Sequence, residues 1–503
     1  MERQAVLMKQ VVVIGGGLGG LSAAIRLAAA GCRVMLLEQH DALGGKLQRV
    51  QMGAYRFDRG PSTITMIAAF ERVFAAAGRQ MADYLELYRL TPAARNVFAD
   101  GSMVDLSADA SAMEAQIAVY SPQDAQRYRA FMAESERLYR LAEGHFLHRL
   151  LLTPRDKADP RLLGALLRVR PLLSLDRLLR RYFRHPNTLA MLGRYATYVG
   201  SDPRRAPAVF GMLPHLEAAL GVYGVRGGTY AIVEAFRRLA VELGVTIRTG
   251  VRVTRILSAS GRVRGVRTAE GEHAEEGAYA AEVVVAGGDV LSISGELLTE
   301  AERPRLRDAR IARYEPSLSG FVLLAGIRRT YPQLLHHTVF FPARYGSEFD
   351  DIFNHRRAPD DPAVYICHSG HSEPGMAPAG GSNLFILVNA PYTSPDWNWA
   401  ERAPAYRGRI LQRLSELGVD GLADGAEVEA TYTPEQLRRE TSAYRGAIYG
   451  ISSNSARQTF ARPSNRGDLR GLWFVGGTTH PGGGTPLVAL SGQLVAEAIL
   501  KEG

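Results

Sequence analysis

The spacing of apolar side chains predicts a βαβ unit at the beginning of the chain. Residues 11–14 read Val-Val-Val-Ile, a run of β-branched side chains that is typical of a strand covered on both faces. Apolar residues then recur at the spacing of one helix face over residues 21–28, and Gly31 predicts the end of that helix. A short apolar run at residues 34–37 predicts the second strand.

Beyond this unit the pattern changes twice along the chain. Residues 68–220 are mostly of helical periodicity, with prolines that mark breaks between helices. Runs rich in β-branched and aromatic residues follow, and a final helix is predicted over residues 485–500. The strands predicted in this part are residues 245–247, 251–257, 283–285, 320–325, 338–341, 364–367, 384–388 and 472–475. The pattern therefore predicts an α/β protein.

Length and cysteine usage restrict the class of protein. At 503 residues the chain is long enough for two domains, or for one domain with a large insertion. Cys32 and Cys367 are its 2 cysteines, which excludes a disulfide framework and a cysteine-based zinc site, and we predict no metal site. Residues 1–10 contain no apolar signal segment, and no run of about 20 apolar residues occurs, so we expect a cytoplasmic protein without a spanning helix.

The charge balance is basic. Lysine and arginine outnumber aspartate and glutamate by 60 to 51, a formal net charge of +9, which favours nucleic acid or an anionic membrane surface as a partner. No nucleic-acid motif accompanies this excess, so we predict no nucleic-acid partner. Residues 162–184 alternate leucines with arginines. Such a segment is typical of a membrane-surface contact, and the alternative is a lid helix with a solvated arginine face.

The loop between the first strand and its helix carries a dinucleotide fingerprint. Gly15, Gly17 and Gly20 form the pattern G-x-G-x-x-G. The first glycine permits a tight turn, the second lets the backbone approach a pyrophosphate, and the third lets helix and strand pack closely. The N-terminus of the helix adds positive potential for the phosphates. Glycine-rich turns are common, but this one has a strand and a helix on the correct sides.

The two segments that follow decide which dinucleotide is expected. Glu38 ends the second strand, where a carboxylate can accept hydrogen bonds from the ribose hydroxyls, and it argues against the 2′-phosphate of NADP. Gly44-Gly45-Lys46 and Gly60-Pro61-Ser62 come next, where a plain NAD-binding unit would continue into its next helix. The glycines permit close approach to an extended cofactor. Lys46 is either a group that neutralises phosphate charge or a solvated loop lysine. We predict FAD.

These motifs resemble those of the bacterial phytoene desaturase family of carotenoid-modifying flavoenzymes. The C-terminal residues 472–486, which include Gly476 and the run Gly482-Gly483-Gly484-Thr485-Pro486, look like the second flavin motif of that family. Val253 lies in a segment that resembles the adenine-side strand of the family. The resemblance covers nearly the whole chain and implies that all these residues bind FAD, with the C-terminal glycines near the flavin ring.

Within the family, the resemblance favours one branch. The C-terminal glycine run and residues 331–341 look most like the branch that acts on C30 diapocarotenoids, which includes desaturases and an enzyme that oxidises terminal methyl groups to aldehydes. Desaturases of the family usually carry alanine where Gly483 stands, which puts simple desaturation in doubt. The substrate implied is a long polyene, held in a tunnel of aliphatic and aromatic side chains.

The resemblance also implies an architecture. We expect a Rossmann-like, amine-oxidase-like FAD-binding domain with an inserted mixed α+β substrate domain. The segments assigned to the FAD-binding domain are residues 8–70, 222–300 and 451–503, and those assigned to the substrate-binding, membrane-associating domain are residues 71–221 and 301–450. Because the substrate dissolves only in lipid, we expect the protein at the inner face of the cell membrane.

The implied chemistry is hydride transfer from the polyene to the flavin, giving desaturation or terminal methyl oxidation. His480 is the titratable side chain within the C-terminal motif, and it is a candidate catalytic proton shuttle or a donor that orders the loop. Two alternatives stay open at this point. One is an amine-oxidase-like flavoenzyme, which would need an aromatic cage around an amine. The other is a prenyl-lipid carrier of the same architecture without catalysis.

Overall fold

The computed structural model describes residues 9–153, 156, 158–269 and 277–502. Its strands, numbered along the chain, are β1 (Gln10–Ile14), β2 (Arg33–Leu37), β3 (Gln48–Met52), β4 (Tyr55–Arg59), β5 (Leu87–Arg89), β6 (Arg95–Val97), β7 (Met103–Asp105), β8 (Tyr223–Val225), β9 (Thr246–Arg248), β10 (Val253–Ala259), β11 (Arg262–Thr268), β12 (Ala278–Ala280), β13 (Val283–Gly287), β14 (Ser319–Ile327), β15 (His337–Phe340), β16 (Val364–Cys367), β17 (Ser382–Ala390), β18 (Ala426–Tyr432) and β19 (Leu472–Val475).

The α-helices among the described residues are α1 (Leu18–Ala29), α2 (Ala68–Ala75), α3 (Ala110–Ala118), α4 (Pro122–Ala142), α5 (Pro160–Arg168), α6 (Leu175–Leu179), α7 (Pro186–Gly193), α8 (Leu213–Leu220), α9 (Ala231–Glu242), α10 (Val290–Leu297), α11 (Asp308–Ile311), α12 (Tyr345–Phe349), α13 (Trp399–Glu416), α14 (Leu422–Gly425), α15 (Pro434–Thr441), α16 (Ala456–Phe460) and α17 (Thr485–Lys501). Shorter 3₁₀ turns are Met81–Asp83, Arg194–Val199, Ala208–Met212, Glu300–Glu302, Ser369–His371 and Tyr444–Gly446, and π turns are Glu143–Leu147 and Asp350–His355.

A five-stranded parallel sheet forms the nucleotide-binding side, in the order β19-β13-β1-β2-β9. β1 lies between β2 and β13, with Val12 opposite Met35 and Val284. Its valines are buried on both faces, which explains the continuous apolar run in the sequence. All five strands are parallel, so the loops at their carboxyl ends gather at one edge of the sheet.

A seven-stranded mixed sheet lies in the second part, in the order β18-β14-β17-β16-β15-β6-β7. Its central strands β14 and β17 pair antiparallel along their whole length, from Ser319 opposite Ala390 to Ile327 opposite Ser382. One face packs on the long helix α13. A helical layer built from α3 to α8 has its own core, in which the largest buried side chains include Phe131 and Phe183.

The helical prediction for residues 68–220 needs a correction. Three short strands, β5, β6 and β7, lie inside it, and β6 and β7 join the edge of the seven-stranded sheet. β6 pairs parallel with β15, through Asn96 opposite Val339. A strand of three residues is too short to show a period of its own, and its partner lies about 240 residues away in sequence, so local pattern did not reveal it. The sequence pattern also did not predict the strands β3, β4, β8, β11, β12 and β18.

The predicted domain segments stay a prediction. The strands of the parallel sheet come from residues 10–37, 246–287 and 472–475, all within the segments assigned to the FAD-binding domain. β18, β14 to β17, β6 and β7 lie within the segments assigned to the substrate domain. Residues 8 and 503, at the ends of the assigned segments, lie outside the described residues. No helix among the described residues is long and apolar enough to cross a membrane.

Candidate active site

A single continuous cavity of about 560 Å³ begins at the carboxyl edge of the parallel sheet and extends between the helical layer and the seven-stranded sheet. The predicted cofactor residues that line it are Gly15, Gly17, Gly20, Glu38, Gly44, Gly45, Lys46, Gly60, Pro61, Ser62, Val253, Gly476, Gly483, Gly484, Thr485 and Pro486. Gly482 and His480 do not line it. We call the part at the sheet edge, which the predicted cofactor residues line, the nucleotide chamber. We call the part between the helical layer and the seven-stranded sheet the apolar chamber.

The fingerprint glycines are required by close contacts. A Cβ at Gly20 would lie 2.1 Å from the carbonyl oxygen of Gly15, and one at Gly15 would lie 2.3 Å from the carbonyl oxygen of Gly287. Neither distance is compatible with a side chain. Gly17 differs, because a Cβ there would meet no atom within 4 Å and would project into open space. This opening lies at the N-terminus of α1, where backbone N–H groups and the helix dipole favour a pyrophosphate.

Glu38 is buried at the end of β2 and is held by two backbone groups. Its Oε2 accepts a 2.7 Å hydrogen bond from the N–H of Gly16, and its Oε1 accepts one of 3.0 Å from the N–H of His40. Each carboxylate oxygen can accept a further bond. The side chain is therefore fixed on the chamber wall with capacity for two ribose hydroxyls.

Lys46 has contacts that neither sequence interpretation foresaw. Its Nζ donates to the carbonyl oxygens of Ile448 and Ala447, at 2.6 and 3.0 Å. Burial lowers the pKa of Lys46 to about 8, and the nearby carboxylate of Asp289 opposes this shift. The lysine is not a solvated loop residue. It connects the loop after β2 to residues 447 and 448, which precede the C-terminal motif. Lys46 and Asp289 both line the chamber, so the lysine places a positive charge at its wall.

The C-terminal motif forms the far wall of the nucleotide chamber. Gly476, Gly482 and Gly484 have φ values of 128°, 133° and 108°, a region that side-chain-bearing residues rarely adopt. α17 begins directly after them at Thr485, with Pro486 in its first turn. A Cβ at Gly483 would come within 2.9 Å of the Tyr449 ring, so the tyrosine packs directly on this loop.

His480 lies behind the motif. Its Nε2 is 2.7 Å from the carbonyl oxygen of Phe146, and burial lowers the pKa of His480 to about 4. The ring is therefore neutral near pH 7 and is occupied by a structural hydrogen bond. These contacts fit the loop-ordering role and give no support to the catalytic one.

The apolar chamber continues directly from the nucleotide chamber. Its aliphatic and aromatic lining residues include Phe210, Met212, Leu213, Leu216, Leu318, Val322, Val339, Phe385 and Leu387. They come from the helical layer and from the seven-stranded sheet. Sequence reasoning missed them because they share no motif and are brought together only by folding.

Several polar groups face this otherwise apolar space. Arg194, Glu217 and Tyr365 line it. The Tyr365 hydroxyl bonds Ser62 Oγ at 2.6 Å and His337 Nδ1 at 2.8 Å, which joins the apolar chamber to the Gly60-Pro61-Ser62 loop. None of these three residues carried a sequence signal.

These features define a class of protein. The glycine loop, Glu38 and the C-terminal glycines offer an acidic ribose site, a helix N-terminus for pyrophosphate and a second glycine wall, all on one cavity. That set fits an extended dinucleotide with a flat ring. A Cβ at Gly17 or at Gly484 would meet no protein atom within 4 Å, so a side chain at either position would occupy space that the dinucleotide needs. The site is that of a flavin-dependent oxidoreductase.

Comparison with known proteins agrees with this class. Residues 18–500 match the family model described as flavin containing amine oxidoreductase, and the chain belongs to that family. Solved structures with the same fold include a putrescine oxidase variant, with a TM-score of 0.65 at 14% identity, covering 98% of this chain and 99% of that one. An oxidoreductase from Methanosarcina mazei has a TM-score of 0.62 at 16% identity, covering 97% and 100%. The predicted fold class and FAD are confirmed.

The chain is also similar over nearly its whole length to curated relatives. A 4,4'-diapolycopene oxygenase of a Methylomonas species is 36% identical over 98% of both chains. A zeta-carotene-forming phytoene desaturase of Myxococcus xanthus is 36% identical over 98% of this chain and 94% of the relative. A 4,4'-diaponeurosporene oxygenase of Staphylococcus aureus is 34% identical over 98% of both. The resemblance to the phytoene desaturase family, including its diapocarotenoid branch, is confirmed.

Proposed function

We propose that the protein is an FAD-dependent carotenoid oxidoreductase that oxidises a long polyene of the C30 diapocarotenoid class, by desaturation or by oxidation of a terminal methyl group. The observation that carries the proposal is the apolar chamber, which is continuous with the nucleotide chamber and ends at its C-terminal glycine wall. Relatives that are 34–36% identical over nearly the whole chain carry carotenoid desaturase and oxygenase names.

The chain's own residues bind, orient and desolvate. The aliphatic walls of the apolar chamber hold a polyene by burial of its surface and exclude water from its reacting end. Gly483 has no side chain, so the Tyr449 ring packs directly on the C-terminal loop, and the two residues together form the chamber wall that a flat chain would meet there. Bound FAD would supply the hydride acceptor. Ser62 and Tyr365 are hydrogen-bonded hydroxyls, and burial raises the pKa of Tyr365 well above its usual value, so we assign neither of them as the base for the proton released from the neighbouring carbon.

Coexpression in a bacterial host that carries a C30 or a C40 carotenoid pathway tests the proposal. We expect the gene to convert the C30 pigment, with mass spectrometry separating loss of two hydrogens per step from gain of oxygen. The host without the gene is the control. A yellow protein that oxidises putrescine or another amine and leaves pigments unchanged would support an amine oxidase instead. A colourless protein that cannot be reconstituted with FAD would support a lipid carrier.

We also propose that the protein is cytoplasmic and attaches to the inner face of the cell membrane through the segment predicted for this contact, residues 162–184. Leu162 and Ala165 of α5 pack into the helical core, whereas Leu163 and Leu167 on its other face are exposed by 46% and 75%. Leu172, just beyond α5, is exposed by 90%. Exposed arginines surround these leucines, at positions 161, 168, 170, 177, 180, 181 and 184. Exposed leucines rimmed by cations are typical of a surface that enters the headgroup region.

Vesicle cosedimentation tests this attachment. We expect binding to vesicles with anionic lipid, weaker binding to zwitterionic ones, and partial release by salt. The double substitution Leu167→Asp with Leu172→Asp is expected to abolish binding. Val241→Asp is the matched control, since Val241 is a 53% exposed apolar residue on α9, outside the segment. Equal binding by the double variant and the control would contradict the proposal.

A further inference from the structure

Arg194 places a guanidinium on the wall of the apolar chamber without an anionic partner. It begins the 3₁₀ turn after α7 and lines the chamber. Among the described residues the guanidinium makes one hydrogen bond, a long one from Nη1 to the hydroxyl of Tyr198 at 3.4 Å. Its Cζ lies 5.3 Å from the ring centre of Tyr198 and 5.5 Å from that of Tyr365. Within residues 9–153, 156, 158–269 and 277–502, no carboxylate lies within ion-pair distance of it.

A hydrocarbon cannot satisfy this group. A guanidinium has five N–H donors and no acceptor, and burial of unpaired donors is costly. Aromatic faces stabilise the charge but accept no strong hydrogen bond. A polyene made only of carbon and hydrogen would cover Arg194 and take away water without offering a lone pair. The chamber wall therefore carries a hydrogen-bond donor at a defined point, and an unsubstituted polyene has no acceptor to offer it.

The position of Arg194 indicates which part of a ligand it meets. The ring of Tyr365 lies against the guanidinium, and its hydroxyl bonds Ser62 in the Gly60-Pro61-Ser62 loop. Arg194 also opposes the rise that burial causes in the pKa of Tyr449, whose ring packs on Gly483 of the C-terminal glycine wall. The guanidinium is therefore near the wall where the flavin ring is expected. A group bonded to it would belong to the reacting end of the substrate and not to the distant end.

Glu217 adds an acceptor to the same chamber. It is buried on α8, and its Oε2 accepts a 2.6 Å hydrogen bond from the hydroxyl of Tyr195. Its Oε1 has no partner among the described residues. Burial raises the pKa of Glu217, and Arg194 opposes this shift. A hydroxyl could donate to this carboxyl group, whereas an aldehyde has no donor.

We propose that Arg194 is a specificity-determining residue that hydrogen-bonds an oxygen function, a carbonyl or a hydroxyl, at the reacting end of the polyene. The inference rests on the proposed function and narrows its substrate class from polyene hydrocarbons to polyenes with an oxygen-bearing end. It implies that the protein binds partly oxidised polyenes more tightly than their parent hydrocarbons.

Binding measurements on the FAD-loaded protein test the proposal. The probes are a C30 polyene hydrocarbon and the terminal aldehyde of the same chain, titrated by the change in polyene absorbance and flavin fluorescence. We expect wild-type protein to bind the aldehyde at least about 10-fold more tightly, as a hydrogen bond to a charged donor would give. Arg194→Met should remove this preference, by weakening aldehyde binding and by tightening hydrocarbon binding, since the hydrocarbon then covers no unpaired guanidinium; Arg194→Lys should keep part of the preference. Arg237→Met, at an exposed position on α9, is the control.

The outcomes separate this inference from the proposed function. Equal binding of both polyenes by the wild-type protein would overturn the inference about Arg194. That comparison uses no variant, so it does not depend on whether Arg194→Met folds. Loss of FAD from a folded Arg194→Met protein would also overturn it, since the guanidinium would then serve the cofactor. If the wild-type holoenzyme binds neither polyene, the proposed function fails and the inference falls with it.

Discussion

The pair Gly20→Ala and Gly17→Ala separates the packing role of the glycine loop from its binding role. Both substitutions add one methyl group within the same fingerprint, three residues apart. At Gly20 the new Cβ would lie 2.1 Å from the carbonyl oxygen of Gly15 and 3.3 Å from a Val13 methyl group. At Gly17 it would meet nothing within 4 Å, and the backbone angles there, φ −71° and ψ 170°, suit any residue.

The expected magnitudes follow from these contacts. Gly20 lies inside α1, where alanine favours the helix by about 1 kcal/mol, but the clash is with backbone and forces β1 and α1 apart. Overpacking of this kind costs roughly 1–3 kcal/mol or more, so we expect net destabilisation of the apoprotein by Gly20→Ala. Gly17→Ala should change the free energy of unfolding by less than about 1 kcal/mol. It should nevertheless raise the Kd for FAD at least about 10-fold, because its methyl group occupies space that the pyrophosphate needs.

Urea unfolding of the two apoproteins and flavin-fluorescence titration with FAD measure these two quantities separately. Gly31→Ala is the control for backbone strain alone. Its added Cβ, at a helix end, would meet no atom within 4 Å, but the φ of 91° there is unfavourable for alanine. If Gly17→Ala bound FAD as tightly as the wild type, the pyrophosphate would not lie on this loop. If Gly20→Ala were as stable as the wild type, the close approach of β1 and α1 would not be a constraint.

Three further predictions concern charge. Glu38→Gln should weaken FAD binding about 10-fold, as measured by titration. Glutamine has only one oxygen, so its NH₂ group must face the backbone N–H of either Gly16 or His40, and that contact is between two donors. Unchanged affinity would show that Glu38 does not bind the ribose. Lys46→Met leaves two carbonyl groups and Asp289 without their cation, so we expect the free energy of unfolding in urea to fall by roughly 3 kcal/mol. Lys46→Arg, which keeps the charge, is the control. Burial lowers the pKa of His336, His368 and His480 from 6.5 to about 4. The unfolded chain therefore binds more protons between these pH values, and stability should fall as the pH falls from 6.5 to 4, by up to about 3 kcal/mol per group. His480→Gln should make this decline shallower without altering the activity profile above pH 6. A kinetic pKa near neutrality that the wild type shows and His480→Gln lacks would identify His480 as a proton shuttle.

The sequence by itself determined the features that depend on neighbours in the chain. The fingerprint glycines, Glu38 and the strands around them lie within 40 consecutive residues, and their spacing follows from one βαβ unit whose geometry is nearly constant. The same holds for the C-terminal loop and α17. A turn that needs a positive φ selects glycine locally, so the residue type reports the backbone conformation.

Tertiary structure decided what no local pattern encodes. Lys46 was readable as a phosphate-side lysine, but its carbonyl partners lie about 400 residues further along the chain. Arg194, Glu217 and Tyr365 come from three separate elements and meet only because the helical layer closes on the seven-stranded sheet. The elements around the nucleotide chamber are set by periodicity and turn chemistry, which are local. The shape and polarity of its substrate chamber are set by which distant segments pack together, and packing depends on three-dimensional contacts that sequence spacing does not specify.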